Sequence, residues 1–216
     1  MRDLYPGYDV LSKRHTPSWN EQTRQVIEHR LATEPDRHRF FTDAEWATLR
    51  TLCDRIVPQP VERIQPVPLA AMVDRKMIEN VRDGYRHARL PPMREAWQRG
   101  LAALEQEARA AHGASFHQLS AEQQDALLQA MQRGELHDPA WGGMPPDSFF
   151  KNRIVIDVVK TYYSHPTAWN EIGWGGPASP RGYVRLLADR RDPWEAAEAK
   201  PGREAEAFQE NQRVGR

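Results

Sequence analysis

Apolar residues recur at helical spacing through most of the middle of the chain. The sharpest start signal is FFTDAEW, in which Thr42 and Glu45 have the spacing of a capping box. The apolar positions that follow keep a helical period as far as Pro58: Trp46, Leu49, Leu52, Cys53, Ile56 and Val57. This pattern predicts a helix that begins after Thr42 and ends before Pro58.

Similar periodicity predicts a helix after Ser18 and four more, over about 69–85, 93–111, 121–131 and 147–164. The last of these is apolar on most sides, which is typical of a central helix. Residues 58–68 contain four prolines and are therefore predicted to form a loop. Apart from NRIVIDVV, which resembles a strand locally, no β-branched alternation bounded by hairpin turns is present. The predicted fold class is all-α.

The two ends of the chain lack this regular pattern. Residues 1–18 scatter apolar side chains among prolines, and residues 184–216 are strongly polar. We therefore predict a single compact helical domain at 40–183 with extended N- and C-terminal arms. The N-terminal arm with its short helix spans 1–39 and is expected to bind a partner, whereas the C-terminal arm spans 184–216 and orders on a partner or not at all.

Charge and cysteine content exclude several classes of function. The 30 basic and 30 acidic residues cancel, so a nucleic-acid partner is not expected. The single cysteine, Cys53, excludes an intrachain disulfide, and its place on an apolar helix face predicts a small buried hydrophobe. No window of about 18 apolar residues occurs, so direct membrane insertion is not expected.

The N-terminal residues contain neither an apolar signal-peptide core nor a twin arginine. The expected location is therefore cytoplasmic, with a periplasmic location as the alternative if a partner carries the chain across the membrane.

No catalytic or metal-binding constellation emerges from the motifs. The eight histidines include no pair at i, i+4 and no Glu-x-x-His, so no metal ligands are predicted. G-x-S-x-G is absent, and GWGGP at 173–177 runs into prolines rather than into a helix, unlike a phosphate-binding loop. The carboxylate pairs Asp74 with Glu79 and Glu105 with Glu107 lack the spacing that places side chains on one helical face, and they are interpreted as solvated. No catalytic residue and no cofactor-binding residue is predicted in this chain.

Aromatic residues are unusually frequent outside the predicted helix faces. Such side chains either pack on their own core or anchor a protein interface, and the sequence leaves both alternatives open. The candidate partner-binding residues are Tyr5, Tyr8, Trp19, Trp141, Trp169, Trp174, Tyr183 and Trp194. In YYSHPTAWNEIGWGGPASPRGY, the glycines are interpreted as turns that carry aromatic side chains to a packing surface.

Three segments together resemble one known family. They are FFTDAEWATLRTLCDRIVP, GLAALEQEARAAHGASFHQLSAEQQDALLQAM and FFKNRIVIDVVKTYYSHPTAWNEIGWGGP. In this order they resemble the gluconate 2-dehydrogenase subunit 3 family, over about residues 40–180. Members of that family are small subunits that accompany flavin-dependent sugar and sugar-acid dehydrogenases of the glucose-methanol-choline type.

The resemblance implies a non-catalytic role. The small subunit binds the large flavoprotein and supports its folding, flavin loading or stability, while the large subunit holds FAD and oxidises the sugar. Electrons then pass to an acceptor such as a cytochrome c subunit, which this chain would meet only indirectly. Many members carry a twin-arginine signal, which is lacking here before Phe40.

Two alternatives remain at this point. One is an independent small enzyme whose site is assembled around His165, with Glu171 and Arg181. The other is a scaffold that binds an electron-acceptor cytochrome rather than the flavoprotein.

Overall fold

All regular structure in the described part of the chain is helical, which confirms the all-α prediction. The computed structural model describes residues 4–80, 84–177, 195 and 197–213. The α-helices are α1 (Glu21–Leu31), α2 (Asp43–Ile56), α3 (Leu69–Glu79), α4 (Met93–His112), α5 (Ala121–Arg133), α6 (Pro146–Phe149), α7 (Ile156–Tyr162), α8 (Pro166–Ile172) and α9 (Glu204–Arg213). A π-helical segment, Phe150–Val155, joins α6 to α7. Short 3₁₀ turns lie at Val10–Lys13, Phe116–Gln118 and Pro139–Trp141.

The chain divides into two compact units. We call Glu34–Tyr162 the helical unit, and we call Met1–Thr33 together with Tyr163–Arg216 the terminal unit. The terminal unit therefore combines the two ends of the chain with the glycine-rich segment. The boundaries predicted at residues 39 and 183 differ from this division and stay a prediction.

The helix starts and stops of the helical unit follow local signals. Thr42 and Glu45 form the predicted capping box of α2, and Ser120 and Gln123 form that of α5. Gly113 ends α4 with a φ of 71°, in the left-handed conformation that glycine adopts without strain. These contacts satisfy backbone groups that a helix end leaves unpaired, which explains why the sequence located them well.

Helix α2 also contains Cys53, which is 1% exposed and has a free thiol. Burial, with a smaller contribution from the charge of Asp54, raises the pKa of this thiol. The interpretation of Cys53 as a small buried hydrophobe is therefore confirmed.

The core of the helical unit is organised around Trp97 of α4, which is fully buried. Its ring meets Phe149 edge-on at 5.6 Å and Phe41 at 6.4 Å between ring centroids. Gly100, one turn along α4, leaves room for the Phe149 ring, because a Cβ at this position would lie 2.2 Å from it. A glycine inside a helix costs about 1 kcal/mol relative to alanine, and here the close approach of Phe149 explains it.

A buried carboxylate connects three helical segments in this core. Asp157 of α7 is fully buried, and its Oδ2 accepts a hydrogen bond from Trp97 Nε1 at 2.8 Å. Lys76 Nζ of α3 lies 2.8 Å from the other oxygen, and Arg153 lies 3.5 Å from Oδ2. Paired in this way, the carboxylate is compensated, whereas a lone buried charge would be strongly unfavourable.

Two helix predictions in this unit need correction. The helix predicted to continue to about Tyr85 ends at Glu79, because Asn80 adopts the left-handed conformation with a φ of 51° and donates its N–H to the Lys76 and Met77 carbonyls. Arg94 covers the same helix end by donating to the carbonyls of Met77 and Ile78. The helix predicted over 147–164 spans 146–162, and its middle is π-helical.

Three of the four carboxylates interpreted as solvated, all except Glu79, instead fasten loops. Asp74 is 2% exposed and accepts hydrogen bonds from the backbone N–H groups of residues 39, 40 and 41. Glu105 accepts from the N–H of Phe116, and Glu107 accepts from the N–H of Asp138. The interpretation was wrong because these backbone partners are distant in sequence, so that spacing within one helix does not reveal them.

The terminal unit has a small core of its own. Its buried members are Tyr8, Val10, Trp19, Ile27, Trp169, Ala197, Ala199 and Ala207. Gly173 and Gly176, both with positive φ, allow close packing: a Cβ at the first would lie 2.8 Å from the Tyr5 ring, and at the second 2.9 Å from Val10. Gly173 and Gly176 of the GWGGP segment therefore serve packing within the terminal unit.

Lys13 is buried in the terminal unit, at 0% exposure. Its Nζ donates to the carbonyl of Pro177 at 2.9 Å and lies 5.7 Å from the centre of the Trp19 ring. Burial lowers the pKa of the Lys13 amine from 10.5 to about 7. The terminal unit therefore contains a group whose charge changes near neutral pH.

Candidate functional site

The loop between α2 and α3, residues 58–68, is held closed at its base. We call it the proline loop. The side-chain amide of Gln59 accepts from the N–H of Val67 at 2.8 Å and donates to the Val67 carbonyl at 3.0 Å. Arg63 donates to the same Gln59 oxygen at 2.9 Å and to the hydroxyl of Tyr162 at 3.1 Å. With four prolines restricting φ as well, the loop has little freedom to rearrange.

Two aliphatic side chains project from this fastened loop into solvent. Val61 is 100% exposed and Ile64 is 96% exposed. They are the most exposed of the large apolar residues that the described part of the chain leaves at its surface. Single exposed apolar residues are common, but two of them on a loop whose geometry is fixed by hydrogen bonds form a preorganised apolar contact.

Covering these side chains with a partner surface would be favourable. Full burial of one valine or isoleucine contributes roughly 1.5–3 kcal/mol, and a loop already held in shape loses little entropy on binding. The proline loop is therefore our candidate partner-binding surface. Its chemistry suits an apolar depression on another protein.

Most of the aromatic residues named as candidate partner-binding residues pack at least partly within their own unit. Tyr8, Trp19 and Trp169 are at most 5% exposed and belong to the core of the terminal unit. Tyr5 and Trp174 are partly buried and pack against that core, Trp174 meeting Trp169 edge-on at 4.9 Å. These contacts favour the alternative in which the aromatics cover their own helices.

Trp141 is buried in the helical unit rather than in the terminal one. Its Nε1 donates to Glu107 at 3.0 Å, and its ring lies against Phe149 at 6.1 Å. Tyr183 and Trp194 lie outside the described residues. A partner-binding role for the eight aromatics stays a prediction, and the described ones have their large surfaces already engaged.

His165, the centre of the independent-enzyme alternative, caps a helix. It is 5% exposed, it precedes α8, and its Nδ1 accepts from the N–H of Thr167 at 3.3 Å. Glu171 is half-buried in α8, and Arg181 lies outside the described residues. These contacts provide a structural reason for His165, and none of them favours a catalytic role.

Neither a metal site nor a membrane-spanning helix is found among the described residues. Across 4–80, 84–177, 195 and 197–213, no cluster of three or more His, Cys, Asp or Glu side chains is arranged to hold a metal ion. In the same stretches, no helix has the length and apolar content needed to cross a bilayer.

The sequence reasoning missed Val61 and Ile64. It interpreted residues 58–68 only as a connection that prolines keep irregular. The signal that was present is the pair of β-branched residues in VERI, since apolar residues in a short loop have no core face to occupy. Their exposure depends on Gln59 and Arg63, whose partners cannot be identified from local sequence.

One comparison with known proteins gives a match. A family model described as Gluconate 2-dehydrogenase subunit 3 matches residues 43–176, which is more than half of the chain. The match begins at the first residue of α2 and includes the proline loop. No curated protein and no solved structure matches the chain.

Proposed function

The chain belongs to the gluconate 2-dehydrogenase subunit 3 family, and from this premise we propose that it is a non-catalytic small subunit of a flavin-dependent sugar dehydrogenase. In this proposal it binds the large flavoprotein subunit and supports that subunit's folding, flavin loading or stability. FAD belongs to the large subunit, and this chain holds no cofactor.

The observation that carries the proposal is the family match over residues 43–176, because the family is named as a subunit of a gluconate dehydrogenase. Two other features support it. The sequence contains no nucleotide-binding or nucleophile motif of its own. The proline loop offers a rigid apolar contact of the kind that anchors one protein on another.

In the proposed complex, Val61 and Ile64 enter an apolar depression on the large subunit. A few well-packed residues near the centre of an interface often contribute a large share of the binding free energy, while surrounding contacts mainly exclude water. The partner's sugar, the carbon that it oxidises and its electron acceptor do not enter the proposal.

The direct test is expression of the large subunit with and without this chain. We expect higher flavin content per polypeptide and higher dehydrogenase activity in the co-expressed preparation. Equal flavin content and equal activity in the two preparations would show that the chain does not support the flavoprotein. Oxidation of a sugar by the purified chain alone, with an added dye as acceptor, would instead support the independent enzyme.

Variants of the proline loop test the proposed contact. Ile64→Asp should weaken binding of the large subunit by about tenfold or more, because the variant would place a charge in the buried contact. It should leave thermal stability unchanged, since Ile64 touches almost nothing in the free chain. Glu62→Ala in the same loop is the matched control and should bind normally, because it keeps both aliphatic side chains.

Crosslinking from the loop identifies the partner. A crosslink to the large subunit fits the proposal, whereas a crosslink to a cytochrome alone would support the scaffold alternative. Cell fractionation of the co-expressed complex tests the expected cytoplasmic location against co-export to the periplasm.

A further inference from the structure

A cavity of about 600 Å³ opens in the helical unit, apart from the proline loop. Three groups of residues form its walls: Asn80 with residues 84–87, the turn that leads into α4, and the π-helical segment with the first residue of α7. We call it the arginine cavity. Its volume is in the range of sites that hold small organic molecules in proteins, about 300–1,000 Å³.

The lining of this cavity combines apolar and cationic residues. Leu90, Met93 and Ile156 contribute apolar surface. Three arginines, Arg86, Arg94 and Arg153, line it as well, and none of the described lining residues is an aspartate or a glutamate. Such a lining favours a ligand that combines an anionic group with an apolar body.

Nearby acidic charge does not cancel these arginines. Asp157 is paired with Arg153, but Lys76 lies closer to it and offsets the same carboxylate. Arg94 donates two of its N–H groups to the backbone carbonyls of Met77 and Ile78, which carry no formal charge. Among the described lining residues, the balance of formal charge is therefore positive.

Arg86 is the group that a ligand would meet first. Its side chain is exposed, and it forms no hydrogen bond or ion pair with any residue that the structure describes. Tyr85 beside it is 71% exposed, and its hydroxyl likewise has no partner in the described chain. Both residues therefore have donors available for a ligand, held at the rim of an apolar cavity.

The irregular helix supplies the opposite wall. Asn152 and Arg153 belong to the π-helical segment and both line the cavity. A π-helical turn widens the helix and is less favourable than a regular α-helical turn, and such turns occur frequently at functional sites. Here the widened turn contributes Asn152 and Arg153 to the same cavity.

We propose that the arginine cavity is a binding site for a small organic anion, a carboxylate or phosphate ester with an apolar or aromatic body. The anionic group contacts the guanidinium of Arg86 and its cationic neighbours, and the body lies on Leu90, Met93 and Ile156. This site goes beyond the proposed role as a subunit, because it requires no partner protein.

The test uses two fluorescent probes with the same rings and different charge. 8-Anilino-1-naphthalenesulfonate carries a sulfonate, and N-phenyl-1-naphthylamine is its neutral counterpart. Each is titrated into the full-length chain, into Arg86→Gln and into Arg89→Gln. Arg89 is the matched control, since it lies in the same segment, is exposed and does not line the cavity.

We expect the sulfonate probe to bind the unmodified chain and to bind Arg86→Gln about tenfold more weakly, the effect of one lost charge-assisted hydrogen bond. Its affinity for Arg89→Gln, and the affinity of the neutral probe for all three proteins, should change less than about twofold. An equal loss of affinity for the sulfonate probe in Arg86→Gln and Arg89→Gln would overturn the proposal. So would an absence of sulfonate-probe binding to the unmodified chain.

A second measurement separates a small ligand from a segment of a partner protein. The sulfonate probe is titrated into the complex with the large subunit, where binding with unchanged affinity supports a small-molecule site. Loss of probe binding in the complex would overturn the proposal in favour of a cavity filled by the partner.

Discussion

The helical unit and the terminal unit achieve burial by different means. The helical unit packs long amphipathic helices whose ends are capped by neighbouring residues, such as Thr42 with Glu45. The terminal unit has shorter helices and builds its core from residues far apart in sequence, such as Tyr8 and Trp169. It also buries a lysine, whereas Asp157, a buried charge of the helical unit, is paired with Lys76.

This difference shows that local pattern and close packing are separate sources of stability. Helices with strong local signals begin and end at the residues that the sequence pattern predicts, and their apolar faces then pack against one another. A core made from chain ends depends on fit at positions such as Gly173 and Gly176, where glycine leaves room for a neighbour. We expect substitutions to affect the two units in correspondingly different ways.

The largest effect is expected for Trp97→Ala in the helical unit. Removal of the buried ring leaves a cavity beside Phe149 and takes away one hydrogen bond to Asp157, at a cost of about 3–5 kcal/mol in unfolding free energy. Urea unfolding followed by circular dichroism measures this cost. Trp97→Phe is the control and should lose clearly less, so an equal loss in both variants would contradict a packing role for the indole.

The pH dependence of stability should distinguish the terminal unit from the helical unit. Between about pH 7 and pH 10.5, Lys13 is neutral when folded and protonated when unfolded. The unfolded state then binds more protons, so the free energy of unfolding rises with pH in this window, by up to about 1.4 kcal/mol per unit. Below pH 7 both states are protonated and the burial cost is fully present.

Lys13→Met removes this charge. The variant should be more stable than the unmodified chain at pH 6, by about 2–3 kcal/mol, and the advantage should shrink as the pH rises toward 10. Thermal unfolding at a series of pH values measures the difference. Lys200→Met, at an exposed position, is the control, and an equal pH profile in the two variants would rule out the effect of burial.

A smaller effect, a net loss of stability, is expected for Gly100→Ala. Helix propensity alone would favour alanine by about 1 kcal/mol, whereas a Cβ at this position would meet the Phe149 ring. We expect a net loss of about 1–2 kcal/mol, because overpacking outweighs propensity. The reverse change at an exposed position of the same helix, Ala102→Gly, calibrates the propensity in this protein, and a gain in stability for Gly100→Ala would contradict the close packing.

The smallest effect is expected at the helix caps. Thr42→Ala removes the hydroxyl that accepts the N–H of Glu45, and it should cost about 1 kcal/mol. Thr42→Ser retains the hydroxyl and should lose little. A chemical denaturation series of the two variants decides whether the capping box stabilises the helical unit or only marks where α2 begins.

How much the sequence predicts depends on whether the cause is local. The starts of α2 and α5 and the end of α4 were predicted, since caps and apolar period lie within a few residues of each other. The end of α3 was predicted too late, since the left-handed conformation of Asn80 and the contacts of Arg94 interrupt a pattern that looks continuous.

Features with distant causes were not predicted. The π-helical segment, the burial of Asp74 and the short helix α8 depend on partners that are many residues away or on backbone detail without a sequence signal. The candidate surface was missed for the same reason. Val61 and Ile64 are visible as apolar residues in a loop, but their complete exposure follows from the way Gln59 and Arg63 fasten that loop.

The buried Cys53 has a practical consequence for spectroscopy. A thiol that is shielded from solvent and has a raised pKa reacts slowly with maleimides and iodoacetamides, because only an accessible thiolate attacks them. In the folded chain, Cys53 therefore contributes little background labelling by these reagents. A cysteine introduced at an exposed position, such as Glu62→Cys, would accept a single dye or spin label and report distances from the proline loop.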